Sequence, residues 1–204
     1  MSPPADRLTP RKSPKQERSA RTVEAILQSA AHILETRGLA GYNTNAIAAR
    51  AGASIGSVYQ YFASKDAITV ALISADIEGL VSALDSAAAL IDPHAALDAM
   101  IAAAANHQLR RPRLAQLLDL EERRLAQLAL HSDTKPALLH RCVVEVVERI
   151  FGPHDEMSRV CADLIVITRA LCDAAGESED TSPGALQDRI GKAVRGYLRE
   201  QFAS

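Results

Sequence analysis

Within the eight residues from Ser54 to Tyr61, Ser54, Ser57, Tyr59, Gln60 and Tyr61 carry hydroxyl or amide groups, Gly56 has no side chain, and no residue is charged. Such groups exchange hydrogen bonds but do not titrate near neutral pH, so the chemistry they suit is recognition and not proton transfer. Ile55, Val58 and Phe62 recur at three and four residues, which predicts a short helix with that trio turned inward and Gly56, Ser57, Tyr59, Gln60 and Tyr61 turned outward. A surface helix selected for stability alone would present Glu, Lys and Ala. Gly56 instead costs on the order of 1 kcal/mol relative to Ala in a helix interior, which makes sense where another surface must approach the backbone. Serine and glutamine on such a face suit base edges in a major groove, while Thr44, Tyr59 and Tyr61 suit phosphate oxygens. The bland alternative is a short buried helix with incidental polar residues.

The elements that must position this face are legible on both sides of it. Asn43 can cap a helix over Thr44 to Arg50, Gly52 suits the left-handed turn that ends it, and Ser54 can cap the helix that follows. Two short helices joined by a tight turn result, the shape that places one helix in a DNA groove. Ser64 caps the next helix and Lys65 stands in its first turn, where the helix dipole disfavours a cation. A phosphate there would satisfy both the free amides and the lysine; a solvated lysine beside Asp66 is the plainer explanation. Ahead of the motif, Val23, Ile26, Leu27, Ala30, Ile33 and Leu34 share one face of a helix expected over 16–37, ended by Gly38. Arg18, Arg21 and Thr22 at its start are plausible backbone contacts.

Thr44, Ile47, Ala48, Ala51, Gly52, Ser54, Gly56, Tyr59, Tyr61, Phe62, Ser64 and Lys65 together meet the pattern of the DNA-binding domain of the TetR/AcrR transcriptional regulators, which the run from about Gly38 to Leu72 resembles. The resemblance covers roughly a quarter of the chain. It implies a homodimeric DNA-binding regulator whose C-terminal helical body diverges with its ligand.

The formal net charge of −2 is unexpected in a nucleic-acid binder until it is divided along the chain. Residues 1–66 hold nine Lys or Arg against five Asp or Glu, a balance of +4, and residues 67–204 hold fourteen against twenty, a balance of −6. The N-terminal third is therefore the basic pole. Residues 1–15 are Pro-rich and basic, with Arg7, Arg11, Lys12 and Lys15 and no apolar period, and read as a disordered arm able to lie along phosphates. No uncharged apolar run approaches the ~20 residues of a membrane span, and the first twenty residues lack the apolar centre of a secretion signal. A cytoplasmic protein with no membrane partner is expected.

Pro93, Pro112, Pro136, Pro153 and Pro183 each stand just before a helical pattern, where a missing backbone donor is harmless. They mark helices over about 93–110, 112–131, 136–151, 154–175 and 183–202, after one over 64–90 that could act as a lever ~40 Å long at ~1.5 Å per residue. The fold class is therefore all-α, with about nine helices. Its expected domains are the arm, a helix-turn-helix unit over 16–66, and an effector-binding and dimerisation body over 67–204. The apolar surface of the 154–175 helix is too broad for one packed side, and the last helix adds a stripe. Leu164, Ile167, Leu171, Ile190, Val194 and Tyr197 are the candidate dimer interface, arranged as a four-helix bundle about a twofold axis.

Small residues at 102–105 could leave room for a ligand, with Asn106, His107, Asp163, Thr168 and Arg169 as polar groups that could face it. No cofactor, metal site or catalytic constellation is expected. The histidines lack the i, i+4 spacing of a helical zinc site, and Cys161 and Cys172 stand about 16 Å apart along one helix, beyond disulfide reach. Cys142, beside Arg141 alone, is a weak candidate thiol sensor. Together these observations predict a ligand-responsive repressor that binds a near-palindromic double-stranded DNA operator as a homodimer. An enzyme with an appended helical domain, or a protein-interaction adaptor, are the competing readings.

Overall fold

A computed structural model describes residues 17–127, 135–177 and 182–202; the expected basic arm and His131 lie outside the described residues. Among the described residues the chain forms nine helices and no strand: α1 Glu17–Gly41, α2 Thr44–Arg50, α3 Ile55–Tyr61, α4 Lys65–Ala88, α5 Pro93–Arg110, α6 Pro112–Gln127, α7 Lys135–Phe151, α8 Met157–Glu177 and α9 Pro183–Phe202. The proline punctuation gave most starts to within a residue or two. Pro93, Pro112 and Pro183 open α5, α6 and α9, while Pro136 is the second residue of α7. Pro153 stands in the link that reaches α8, where the helix begins only at Met157. At Gly38 the chain leaves helical geometry (φ 64°), so the long helical run of α1 ends there as expected, and a separate short turn follows up to Gly41.

The described residues fall into two compact units, the first holding the chain up to Asp76 and α6 from Arg113, the second holding Ile77 to Pro112 and α7 to α9. In the first, Ile26, Ala30, Ile33 and Leu34 of α1 pack with Ile47, Val58, Phe62, Ile68, Leu114, Leu118 and Leu125, all buried. Here α6 departs from expectation. It had been assigned to the body beginning at residue 67, yet its apolar stripe is buried with the N-terminal helices and Arg124 pairs with Asp66 of α4. In the second unit, α5, α7, α8 and α9 pack on one another around Leu97, Met100, Ile101, Val146, Val160, Leu164, Leu186 and Ile190.

One helix, α4, is long and apolar enough by composition to cross a membrane. It carries Asp76, Glu78 and Asp85, and supplies Ile68 and Leu72 to the first core and Leu84 and Ala88 to the second. The short link after it is tied down by Arg149 of α7, whose guanidinium donates to the carbonyls of Ala88, Leu90 and Ile91 at 2.5–2.8 Å.

Candidate nucleic-acid interface

The turn between α2 and α3 is built from local chemistry. Asn43 Oδ1 accepts from the Ala46 amide at 2.9 Å, a cap worth about 1 kcal/mol. At the other end Gly52 takes φ 63°, the Ala53 amide reaches the Ala48 carbonyl at 3.0 Å, and the Gly52 amide reaches Ala49 at 3.4 Å. This paired closure satisfies the last carbonyls of α2 and reverses the chain. Ser54 Oγ then accepts from the Ser57 amide at 3.0 Å and caps α3, and Ser64 Oγ accepts from the Ala67 amide at 3.1 Å and caps α4.

Val58 and Phe62 anchor α3, at 0% and 1% exposure, each contributing about 1.5–3 kcal/mol by burial. Ile55, expected beside them, is 38% exposed. It is the first residue of a seven-residue helix, at its rim. Gly56 and Gln60 are exposed, Tyr59 is 41% exposed, and Ser57 and Tyr61 are half-buried. The outward face therefore consists of Gly56, Tyr59 and Gln60, with the edges of Ser57 and Tyr61.

Hydrogen bonds preset parts of this face. The Ser54 and Ser57 hydroxyls share a bond of 2.8 Å, so one hydroxyl hydrogen is used between them and one remains to donate outward. Thr44 Oγ1 and Tyr59 Oη stand 3.4 Å apart, which brings the start of α2 and the middle of α3 together as a pair of hydroxyls. The Lys65 amine lies 5.6 Å from the centroid of the Tyr42 ring, held by the π face in the first turn of α4. Beneath it the Tyr42 hydroxyl bonds Thr69 Oγ1 at 3.1 Å, and burial pushes the phenol up to about 12.

The residues expected to face an effector lie on α5 and α8. Asn106 and Arg169 are exposed, His107 and Thr168 are half-buried, and Asp163 is taken up by Tyr197 and Arg159. A cleft of about 500 Å³ lies elsewhere in the second unit, lined by Glu78, Val81, Ser82 and Asp85 of α4 and by Leu138, Arg141 and Cys142 of α7. Its α4 members follow i, i+3, i+4, i+7 and its α7 members i, i+3, i+4, a spacing that could have singled them out as helix faces. Burial and Asp85 raise the Cys142 thiol pKa, the reverse of what a reactive sensor needs.

Of the dimer candidates, Leu164, Ile190 and Val194 are 3%, 0% and 3% exposed within the single chain and are committed to its own core. Ile167, Leu171 and Tyr197 are half-buried, and the Tyr197 hydroxyl donates to Asp163. Val166, which the sequence did not distinguish from its apolar neighbours, is 66% exposed.

Residues 26–72 match the sequence pattern of the family described as bacterial regulatory proteins, tetR family. No curated protein matches the chain. Among solved structures, a TetR transcription regulator from Haloarcula marismortui superposes with a TM-score of 0.74 at 20% identity, over 89% of this chain and 98% of that one. A TetR-family transcriptional regulator from Streptomyces coelicolor gives 0.65 at 21% identity, over 88% and 98%. The fatty acid degradation regulator FadR from Bacillus halodurans gives 0.64 at 16%, over 86% and 97%. Residues 26–72 thus carry the N-terminal pattern of the tetR-family regulatory proteins, and the chain shares the all-helical fold of solved TetR-family regulators.

Proposed function

We propose that this protein is a ligand-responsive repressor that binds a near-palindromic operator as a homodimer and is released when a small molecule occupies its C-terminal body. The supporting observation is the outward face of α3, where Gly56 and Gln60 are exposed on a helix anchored by fully buried Val58 and Phe62. In this reading Gly56, Ser57 and Gln60 meet base edges, while Thr44, Tyr59, Tyr61 and Lys65 hold phosphates. Ser54 sets the start of the helix.

Beside Asn106, His107, Thr168 and Arg169 on α5 and α8, a second candidate effector site is the α4–α7 cleft. Its carboxylates Glu78 and Asp85 flank apolar Val81 and Leu138, and suit a ligand with an apolar body and a cationic or hydrogen-bond-donating group. The α4 helix continues from that cleft to Lys65, so a ligand that shifts it has a direct mechanical route to the first unit. Dimerisation through α8 and α9 would use Val166, Ile167, Leu171 and Tyr197, with a twofold axis that matches a palindrome.

The test is affinity for duplexes selected from random or genomic DNA. Lys65→Ala should weaken specific and non-specific binding alike, and Gln60→Ala should change which base is preferred. Equal affinity and preference in both variants and wild type would remove these roles. Binding to no duplex at any salt concentration would favour a protein-interaction adaptor, and turnover of a substrate would favour an enzyme.

A further inference from the structure

At the N-terminus of α4 one guanidinium holds two carboxylates from different helices. Arg124 Nε lies 3.1 and 3.2 Å from the two oxygens of Glu121, and its Nη2 lies 2.8 Å from Glu121 Oε2 and 2.5 Å from Asp66 Oδ1. Glu121 is 3% exposed and would be an uncompensated buried charge without this partner. Asp66 is the neighbour of Lys65, and the same locality holds Tyr42. Its ring lies under the Lys65 amine, its hydroxyl bonds Thr69, and Thr69 Oγ1 donates back to the Lys65 carbonyl at 3.0 Å. The proposed phosphate-holding lysine and the two carboxylates are therefore parts of one cluster. With Arg124 in place the three charged groups of the pairing sum to −1; without it they sum to −2, beside the amine that has to meet a polyanion.

We infer that Arg124 is a positioning residue for DNA binding: it offsets one of the two charges of Asp66 and Glu121 so that Lys65 and the first amides of α4 can receive a phosphate. This rests on the DNA-binding reading of α3 and Lys65. It makes Arg124 act through charge and not through a base contact, so its removal should affect every sequence alike.

The experiment uses the full chain, a duplex recovered by selection and a duplex of unrelated sequence, at about 50 mM and about 300 mM salt. Arg124→Gln should lose on the order of tenfold affinity for both duplexes at low salt, with a smaller loss at high salt. Arg124→Lys, which keeps the charge, should retain most of the affinity. Adding Glu121→Gln to Arg124→Gln should restore it, because the uncompensated carboxylate is gone; a merely structural loss is told apart by a lowered melting temperature in Arg124→Gln and an affinity loss as large at high salt as at low. Should Arg124→Gln fail to fold, Asp66→Asn carries the test: it removes one carboxylate while Arg124 stays, so affinity for both duplexes should rise severalfold at low salt, and unchanged affinity with native helicity overturns the inference. A loss confined to the selected duplex also overturns it, by making Arg124 a direct reader. If wild-type protein binds neither duplex, the DNA-binding reading fails first, and this inference falls with it.

Discussion

Replacing Gly56 with alanine should move stability and DNA affinity in opposite directions. Gly56 lies in the second position of α3 without a positive φ, and a Cβ added there would meet only Ser54 Oγ, at 3.8 Å, an ordinary contact. The folded protein therefore has room for the methyl group, and alanine should gain about 0.5–1 kcal/mol over glycine in a helix. For a chain of this size that raises the melting temperature by roughly 1–4 °C. Against a duplex the same methyl occupies the space through which the backbone must approach. Displacing α3 enough to admit it would weaken a bidentate base contact of about 1–3 kcal/mol, so affinity should fall at least roughly tenfold. The assay pairs thermal unfolding by circular dichroism with titration of a labelled operator. A lower melting temperature would show that the methyl is not accommodated. Unchanged affinity would show that α3 does not approach DNA closely at Gly56.

Four other perturbations test the geometry. The Tyr42 phenol has a folded pKa of about 12 against 10.0 unfolded, so the native state holds its proton more tightly. That contribution is fully present below pH 10 and is lost as the pH rises to about 12, amounting to about 2–3 kcal/mol. Denaturant unfolding of Tyr42→Phe across that window should show a shallower alkaline decline than wild type, and parallel curves would contradict the assignment. Leu164→Ala should cost about 2–5 kcal/mol of stability because it opens the chain's own core. Val166→Glu should instead leave the monomer's stability within about 0.5 kcal/mol while dissociating the proposed dimer, as read by sedimentation; a stable dimeric Val166→Glu would move the interface elsewhere. In the cleft, Glu78→Gln with Asp85→Asn should abolish release from DNA by a cationic apolar ligand while operator affinity is kept, measured by adding ligand to the preformed complex.

The features that were legible in the sequence are those fixed within a few residues. Asn43, Ser54 and Ser64 cap the helices they precede, and Gly52 makes the left-handed turn, because each decision is settled by hydrogen bonds to amides two or three positions away. What was not legible depends on which neighbour covers an apolar face. Ile55 has the same helical spacing as Val58 and Phe62, but nothing in that spacing shows that the first turn of α3 projects past its neighbours. The breadth of the α8 apolar surface was readable, yet Leu164 and Val166 are equally apolar, and only the packed unit shows that one faces inward and the other outward. The place of α6 in the N-terminal unit, with Leu114, Leu118 and Leu125 buried and Arg124 meeting Asp66 across 58 residues, rests on long-range contacts that no local pattern encodes. The α4–α7 cleft likewise joins two helix faces that are far apart in sequence.

The claim beneath all of this is that the exposed face of α3 reads a duplex. The most direct measurement is selection of bound sequences from a random DNA pool, run in parallel with wild-type protein and Gln60→Ala. Two inverted copies of one half-site should be enriched by the wild type, and the variant should relax or change the preference at one base in each copy. Enrichment of no sequence, or of the same half-site to the same degree by both proteins, would contradict it.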